Sequence, residues 1–324
     1  KKVTKVFSVM VASVALAAML SGCGGDKKPA GGDTIKVGGN LEMTGGSASF
    51  GISSKNAIEL AFKNINDKGG INGKKLELVV ADNKSEAAEA TNAMQKLVSQ
   101  DKVVAVIGPN LSSATIAAGA INNGSKVLDI APMATNPNVT VDPATGKTKE
   151  YNFRACFIDP FQGTVMANYA FKQGAKKVAI VQEVSNDYAV GLAKFFKEAF
   201  IKLTGDENSI VEIANYQTGD KDFSAILTNI KAKNPDAIFA PGNFTESALL
   251  VKQARQLGIE APFMGGDTWE TQEFIDVGGK DVEGVALSTA FDREKATTPE
   301  AKKFLDEYVK EYKGEPSALT AMAY

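Results

Sequence analysis

The chain contains no histidine. This excludes His-dependent triads, histidine metal ligands and imidazole acid–base chemistry carried by this polypeptide. Cysteine is nearly absent as well, with 2 in 324 residues. Cys23 belongs to an N-terminal leader, Cys156 is left without a partner in the chain, and no disulfide framework can form. An excess of positive charge is also missing: 36 Lys+Arg stand against 38 Asp+Glu, and setting Lys1, Lys2 and Lys5 aside leaves 33 against 38, a net of −5. A nucleic-acid partner is therefore not expected. No long low-complexity tract interrupts a sequence that is 44% hydrophobic, enough to bury substantial cores in two domains. Carboxylate pairs remain available, so an enzyme is made less plausible without being removed. No cofactor or metal is expected.

The N-terminus reads as an export signal. Lys1, Lys2 and Lys5 precede the weakly polar to apolar run Val6 to Leu20, which meets Ser21, Gly22 and Cys23. The run is too short and too asymmetrically flanked for a good membrane span. Leu20-Ser21-Gly22-Cys23 resembles the bacterial lipobox, in which the cysteine becomes lipid-modified and, after cleavage, N-terminal. The alternative is an ordinary signal with an incidental cysteine. Residues 1–22 are thus expected to be a signal peptide and Cys23 a lipid anchor. Residues 23–33, rich in Gly, Lys and Pro, would be a flexible tether holding an extracytoplasmic lipoprotein at its membrane.

From Thr34 onward, short β-branched runs alternate with helical patterns, which predicts βαβ units and parallel sheets. The first series has strands at Ile35 to Leu41, Leu76 to Ala81, Val103 to Ile107 and Val127 to Ile130. The second has Val178 to Gln182, Ile210 to Tyr216, Ala237 to Ala240 and Phe263 to Met264. Each series is about one domain long. Phe304 to Tyr312 forms an amphipathic pattern, and Ala318 to Tyr324 opens a helix with no end signal. That ending, and the missing initiator methionine, suggest a fragment of a longer reading frame.

The stretch VVAVIGPNLSSATIAAG, Val103 to Gly119, reads as a strand, a Gly-Pro break, and a serine-bearing loop opening a helix. Such a helix start favours an anion, and the loop lacks the lysine of a phosphate-binding P-loop. Ser112 or Ser113 could also simply cap the helix. In open α/β sheets ligands bind beyond the carboxyl ends of the strands. Those positions hold Phe50, Ser112, Ser113, Met133 and Thr135 in the first series and Tyr188, Glu246, Asp267 and Trp269 in the second. Hydroxyls and loop amides on one side and carboxylates on the other match a ligand with an anion at one end and a cation at the other, as in an α-amino acid. Duller roles exist for each: Thr135 as a turn residue, Tyr188 as a loop cover, Glu246 in a capping box with Asn243, and Asp267 in a turn or cap. Cys156 reads as a small buried apolar residue. The lysine-rich segments 147–149 and 172–177 read as solvated surface.

Several segments in order, GGNLEMTGGSASFG, INDKGGINGKKLELVVADNKS, VIGPNLSSAT, APMATNP, YQTGDKDFSAIL and NFTESALLVKQARQLG leading to FMGGDTW, resemble the Leu/Ile/Val-type substrate-binding proteins of bacterial ABC importers. The resemblance implies a type I fold: two Rossmann-like lobes with parallel central sheets joined by a hinge of three crossings. Lobe 1 would take residues 34–153 plus 268–324, with the third crossing beyond the truncated C-terminus, and lobe 2 would take 154–267. It implies that Ser112 contacts the ligand carboxylate, that Thr135 adds a hydroxyl and an N–H donor, that the Met133 carbonyl faces the ammonium, and that Tyr188 and Phe50 form the pocket wall. Glu246 matches the family's ammonium-binding glutamate. Asp267, in a stretch similar to the ligand-binding domains of metabotropic glutamate receptors, is a second candidate. The expected ligand is a free amino acid, branched-chain or otherwise aliphatic or aromatic, delivered to a permease and ATPase complex. A sensor presenting its ligand state to a signalling partner is an alternative, and a secreted hydrolase using Glu246 and Asp267 is a weaker one.

Overall fold

The computed structural model describes residues 34–324. The proposed signal, the tether and the Cys23 anchor lie outside the described residues. Among those described, no helix is long and apolar enough to cross a membrane.

The first lobe is built as β1 (Ile35–Leu41), α1 (Ala48–Asp67), β2 (Leu76–Asp82), α2 (Ala87–Ser99), β3 (Ala105–Ile107), α3 (Ser112–Ser125), β4 (Leu128–Ala131) and β5 (Asn152–Arg154). The second continues with α4 (Asp159–Lys172), β6 (Val178–Glu183), α5 (Asp187–Thr204), β7 (Ile210–Tyr216), α6 (Ser224–Lys233), β8 (Ala237–Phe239), α7 (Phe244–Gln256), β9 (Phe263–Gly265), α8 (Gln272–Gly278) and β10 (Ala286–Leu287). Two helices, α9 (Pro299–Tyr312) and α10 (Ala318–Ala323), then pack on α1 in the first lobe.

Each lobe holds a parallel five-stranded sheet, ordered β2-β1-β3-β4-β5 in one and β7-β6-β8-β9-β10 in the other. The topology is therefore the same in both. The chain leaves the first strand of each lobe in one direction and returns on its other side, so each sheet has a switch point, between β1 and β3 and between β6 and β8. A crevice opens at the carboxyl ends of those strands, where loops diverge to opposite faces. In the first lobe, Gly108 makes the exit from β3 possible. Its φ is +92°, and a Cβ there would overlap the Asn40 carbonyl.

Buried aromatics fill the second lobe. Phe196 stacks on Phe239 at 4.0 Å and on Phe200 at 5.7 Å, covering one face of the sheet. The core on the other face runs from Phe223 and Phe263 to Phe50, Met133 and Leu319 of the first lobe, so apolar packing is continuous across the junction. Separate cores around Ile58 and Phe304, and around Met94 and Leu97, support the first lobe.

One boundary differs from the sequence expectation. Residues 268–287 stay with the second lobe, and the return to the first follows Leu287. Ala286 and Leu287 pair in parallel with Met264 and Gly265, and Phe274 of α8 stacks on Trp269 at 4.8 Å beneath α7. A two-residue strand has no periodicity of its own. Its pairing with β9 decides its place.

Candidate functional site

The two switch points share one cleft, lined by residues of both lobes. Its first-lobe wall is set by Glu42, the residue after β1. The fully buried Glu42 carboxylate accepts from Asn110 N at 3.1 Å, Asn110 Nδ2 at 2.7 Å and Leu111 N at 3.3 Å. Burial raises its carboxyl above the usual range against the pull of these donors. The pinned turn delivers the start of α3 to the cleft. Leu111 occupies the N-cap and has no side-chain acceptor, so neither serine caps this helix and its first N–H groups have no local side-chain partner. Ser112 Oγ lines the cleft and accepts from Asn136 N at 3.3 Å, which leaves its own proton to donate. This wall suits a carboxylate.

The facing wall repeats the device. Glu183, the last residue of β6 and fully buried, accepts from Asn186 Nδ2 and Asn243 N, each at 3.0 Å, and from the Thr218 hydroxyl. Asn186 and Asn243 are thereby fixed at the cleft rim, and Asn186 Oδ1 in turn accepts from Tyr188 N at 3.1 Å to start α5. The Tyr188 hydroxyl donates to Asp267 Oδ1 at 2.9 Å, and Asp267 N donates to Gln162 Oε1 at 3.0 Å. Gly266 keeps this arrangement open, because a Cβ there would overlap the Tyr188 hydroxyl.

Asp267 is 4% exposed, and burial pushes its carboxyl up to about 6. It is the only ionisable carboxylate among the cleft-lining residues, and no lysine or arginine lines the cleft with it. At neutral pH the wall therefore presents one partly desolvated negative charge with no cation of the protein beside it. Between the two polar walls lie Phe50, Leu111, Met133 and Leu319, with Phe50 edge-on to Phe244 at 5.2 Å. Among the described residues, no group of three or more Cys, Asp or Glu is placed to hold a metal ion.

A family model described as "Periplasmic binding protein" matches residues 34–324. The chain is 32% identical to the Leu/Ile/Val-binding protein homolog 1 of Brucella abortus over 294 residues, 90% of this chain and 75% of that one. Its fold is similar to the leucine binding protein LivK of Thermotoga maritima, with TM-score 0.82, 38% identity, and coverage of 90% of this chain and 80% of that one. It is also similar to the branched-chain amino acid transporter substrate binding protein LivJ of Streptococcus pneumoniae, solved in complex with isoleucine, with TM-score 0.83, 39% identity, and coverage of 90% and 81%. The chain belongs to the periplasmic binding protein family, among its Leu/Ile/Val-type members. Its two lobes have the type I fold of that family.

In this periplasmic binding protein, Phe50, Ser112, Met133, Tyr188 and Asp267 come together in the cleft. Ser113, Thr135 and Glu246 do not line it. Ser113 Oγ accepts from Asp187 N at 2.9 Å. Thr135 is fully buried, and its carbonyl accepts from Asp159 N at 3.0 Å. Glu246 Oε1 accepts from Gly219 N at 2.8 Å, which ties down the turn after β7. The capping box with Asn243 does not form, because Asn243 N is taken by Glu183. The carboxylate pair a hydrolase would need is therefore absent from the cleft. Cys156 keeps its proton, since burial pushes its thiol up to about 12, and its neighbour Arg154 donates to the Ala134 and Asn136 carbonyls.

Sequence reasoning missed Glu42, Asn110, Glu183, Asn186, Asn243 and Leu319. A usable signal was present for the two glutamates. Each stands at the carboxyl end of the first strand of its lobe, in NLEMT and IVQEV, where topology turns a seemingly exposed acid into a buried organiser of the crevice.

Proposed function

We propose that this protein binds a free α-amino acid with an aliphatic or aromatic side chain between its lobes, as the extracytoplasmic binding component of an ABC importer. In this proposal it is held at the membrane through lipid on Cys23. The observation that carries it is the opposition of Asp267 to the uncapped start of α3 and Ser112, across a cleft walled by Phe50, Leu111, Met133 and Leu319. A zwitterion satisfies both ends at once: its carboxylate takes the helix N–H groups and the Ser112 hydroxyl, and its ammonium takes Asp267. The lack of a basic residue in the cleft disfavours a second ligand carboxylate, hence an apolar amino acid over aspartate or glutamate. The names of the similar proteins, which bind leucine or Leu/Ile/Val, support the same class.

Because the ligand would touch both lobes, it stabilises the closed arrangement over an open one, and closure is what a permease could sense. The ligand leaves chemically unchanged. A thermal-shift screen of the common amino acids tests this, since a ligand that binds only the folded form raises the midpoint by mass action. Leucine, isoleucine, valine or phenylalanine should raise it and aspartate should not. No shift with any amino acid would overturn the proposal.

A further inference from the structure

Ser113, which sequence spacing suggested as a ligand contact, is occupied elsewhere. Its Oγ accepts from Asp187 N at 2.9 Å, and Asn136 Nδ2 donates to Asp187 O at 2.7 Å. Two side chains of the first lobe thus hold both backbone groups of the residue that opens α5 in the second. None of the three lines the ligand cleft. Asp187 N belongs to the first turn of α5, where it has no partner within its own helix, and Ser113 satisfies it across the seam.

Asn136 is itself fixed. Its Oδ1 accepts from Asn138 N at 2.9 Å, and its carbonyl accepts from the Arg154 guanidinium at 2.9 Å. One turn along α5, a Cβ on Gly191 would lie 2.7 Å from Asn136 Nδ2. Close approach of the two lobes here needs glycine at that position.

We propose that Ser113, Asn136 and the Asp187 backbone form a latch between the lobes, outside the ligand cleft, that governs how long a bound amino acid is held and not which amino acid is chosen. The proposal rests on the cleft being an amino-acid site. Opening hands each of its groups to water, so each bond contributes only the modest net strength of an exchanged hydrogen bond. That suits a joint that must release. Weakening it lowers the fraction of closed protein, which raises the apparent dissociation constant in proportion and acts mainly on the dissociation rate.

The test uses Ser113→Ala, which removes the acceptor, and Gly191→Ala, which pushes on Asn136. Stopped-flow fluorescence of Trp269, the single tryptophan of the chain, follows leucine, isoleucine and valine. In each variant the dissociation rate is expected to rise about three- to tenfold, with the association rate within about twofold and the ranking of the three ligands unchanged. Amide exchange at Asp187 in ligand-free protein should accelerate in Ser113→Ala. Unchanged dissociation rates in both variants would overturn the latch. So would a Ser113→Ala protein that loses affinity for leucine but not for leucinamide, since that marks a direct contact with the ligand carboxylate. If the wild-type protein binds no amino acid, the cleft assignment fails, and the latch is judged separately by whether Asp187 exchange responds to Ser113→Ala.

Discussion

Replacing Asp267 with asparagine removes one charge from the cleft while keeping the side chain's shape and its capacity to accept from Tyr188. In the wild type this carboxylate is 4% exposed and has no protein cation beside it in the cleft. Truncating one partner of a buried hydrogen-bonded charge pair costs about 2–5 kcal/mol. Asparagine still offers the ammonium a neutral acceptor, so the lower part of that range applies. About 2–3 kcal/mol corresponds to roughly 30- to 150-fold in dissociation constant. Titration calorimetry with leucine at pH 7.5 measures this directly.

The wild-type protein should also lose leucine affinity as pH falls through about 6, because protonated Asp267 cannot hold the ammonium, and the asparagine variant should not. Without ligand the variant should be at least as stable as the wild type, since it no longer buries a charge. A loss of less than about threefold in leucine affinity, with the pH dependence intact, would refute the reasoning that assigns Asp267 to the ammonium.

Three further outcomes follow from the same geometry. Glu246→Ala should leave leucine affinity within about threefold while lowering stability by about 1 kcal/mol, because it strips the partner from Gly219 N; calorimetry and chemical denaturation read the two effects. Asp159 is fully buried, and burial pushes its carboxyl from the ordinary 3.8 up to about 8. The native state therefore holds this proton where the unfolded chain has lost it, so stability declines as pH rises from about 4 to about 8. Asp159→Asn should flatten that decline and raise the melting temperature at pH 8, as followed by circular dichroism. Phe196→Ala should destabilise by about 3–5 kcal/mol in denaturant melts, because Phe200 and Phe239 lose a stacked partner in a dry core.

Much of the fold was legible because its long elements carry their own periodicity. β1, β2, β6 and β7 are β-branched runs in both sequence and structure. The short strands β5 and β10 were not legible, since three and two residues show no pattern and their hydrogen bonds come from neighbours in the sheet.

The site divides along similar lines. Asp267 and Ser112 sit where strand ends meet helix starts, a position sequence can find. Ser113 follows Ser112 on the same helix but points about 100° further round it, toward α5 and away from the cleft. Glu246 lies in the first turn of α7, yet the turn after β7 captures it, a contact 27 residues away that local spacing does not encode.

The orientation of the bound zwitterion can be read from a crystal structure of the protein with leucine. The leucine carboxylate should lie within hydrogen-bonding distance of Ser112 Oγ and the first N–H groups of α3, with the ammonium on Asp267 and the side chain against Phe50 and Leu319. Leucine bound in the reverse orientation, or outside this cleft, would contradict this arrangement.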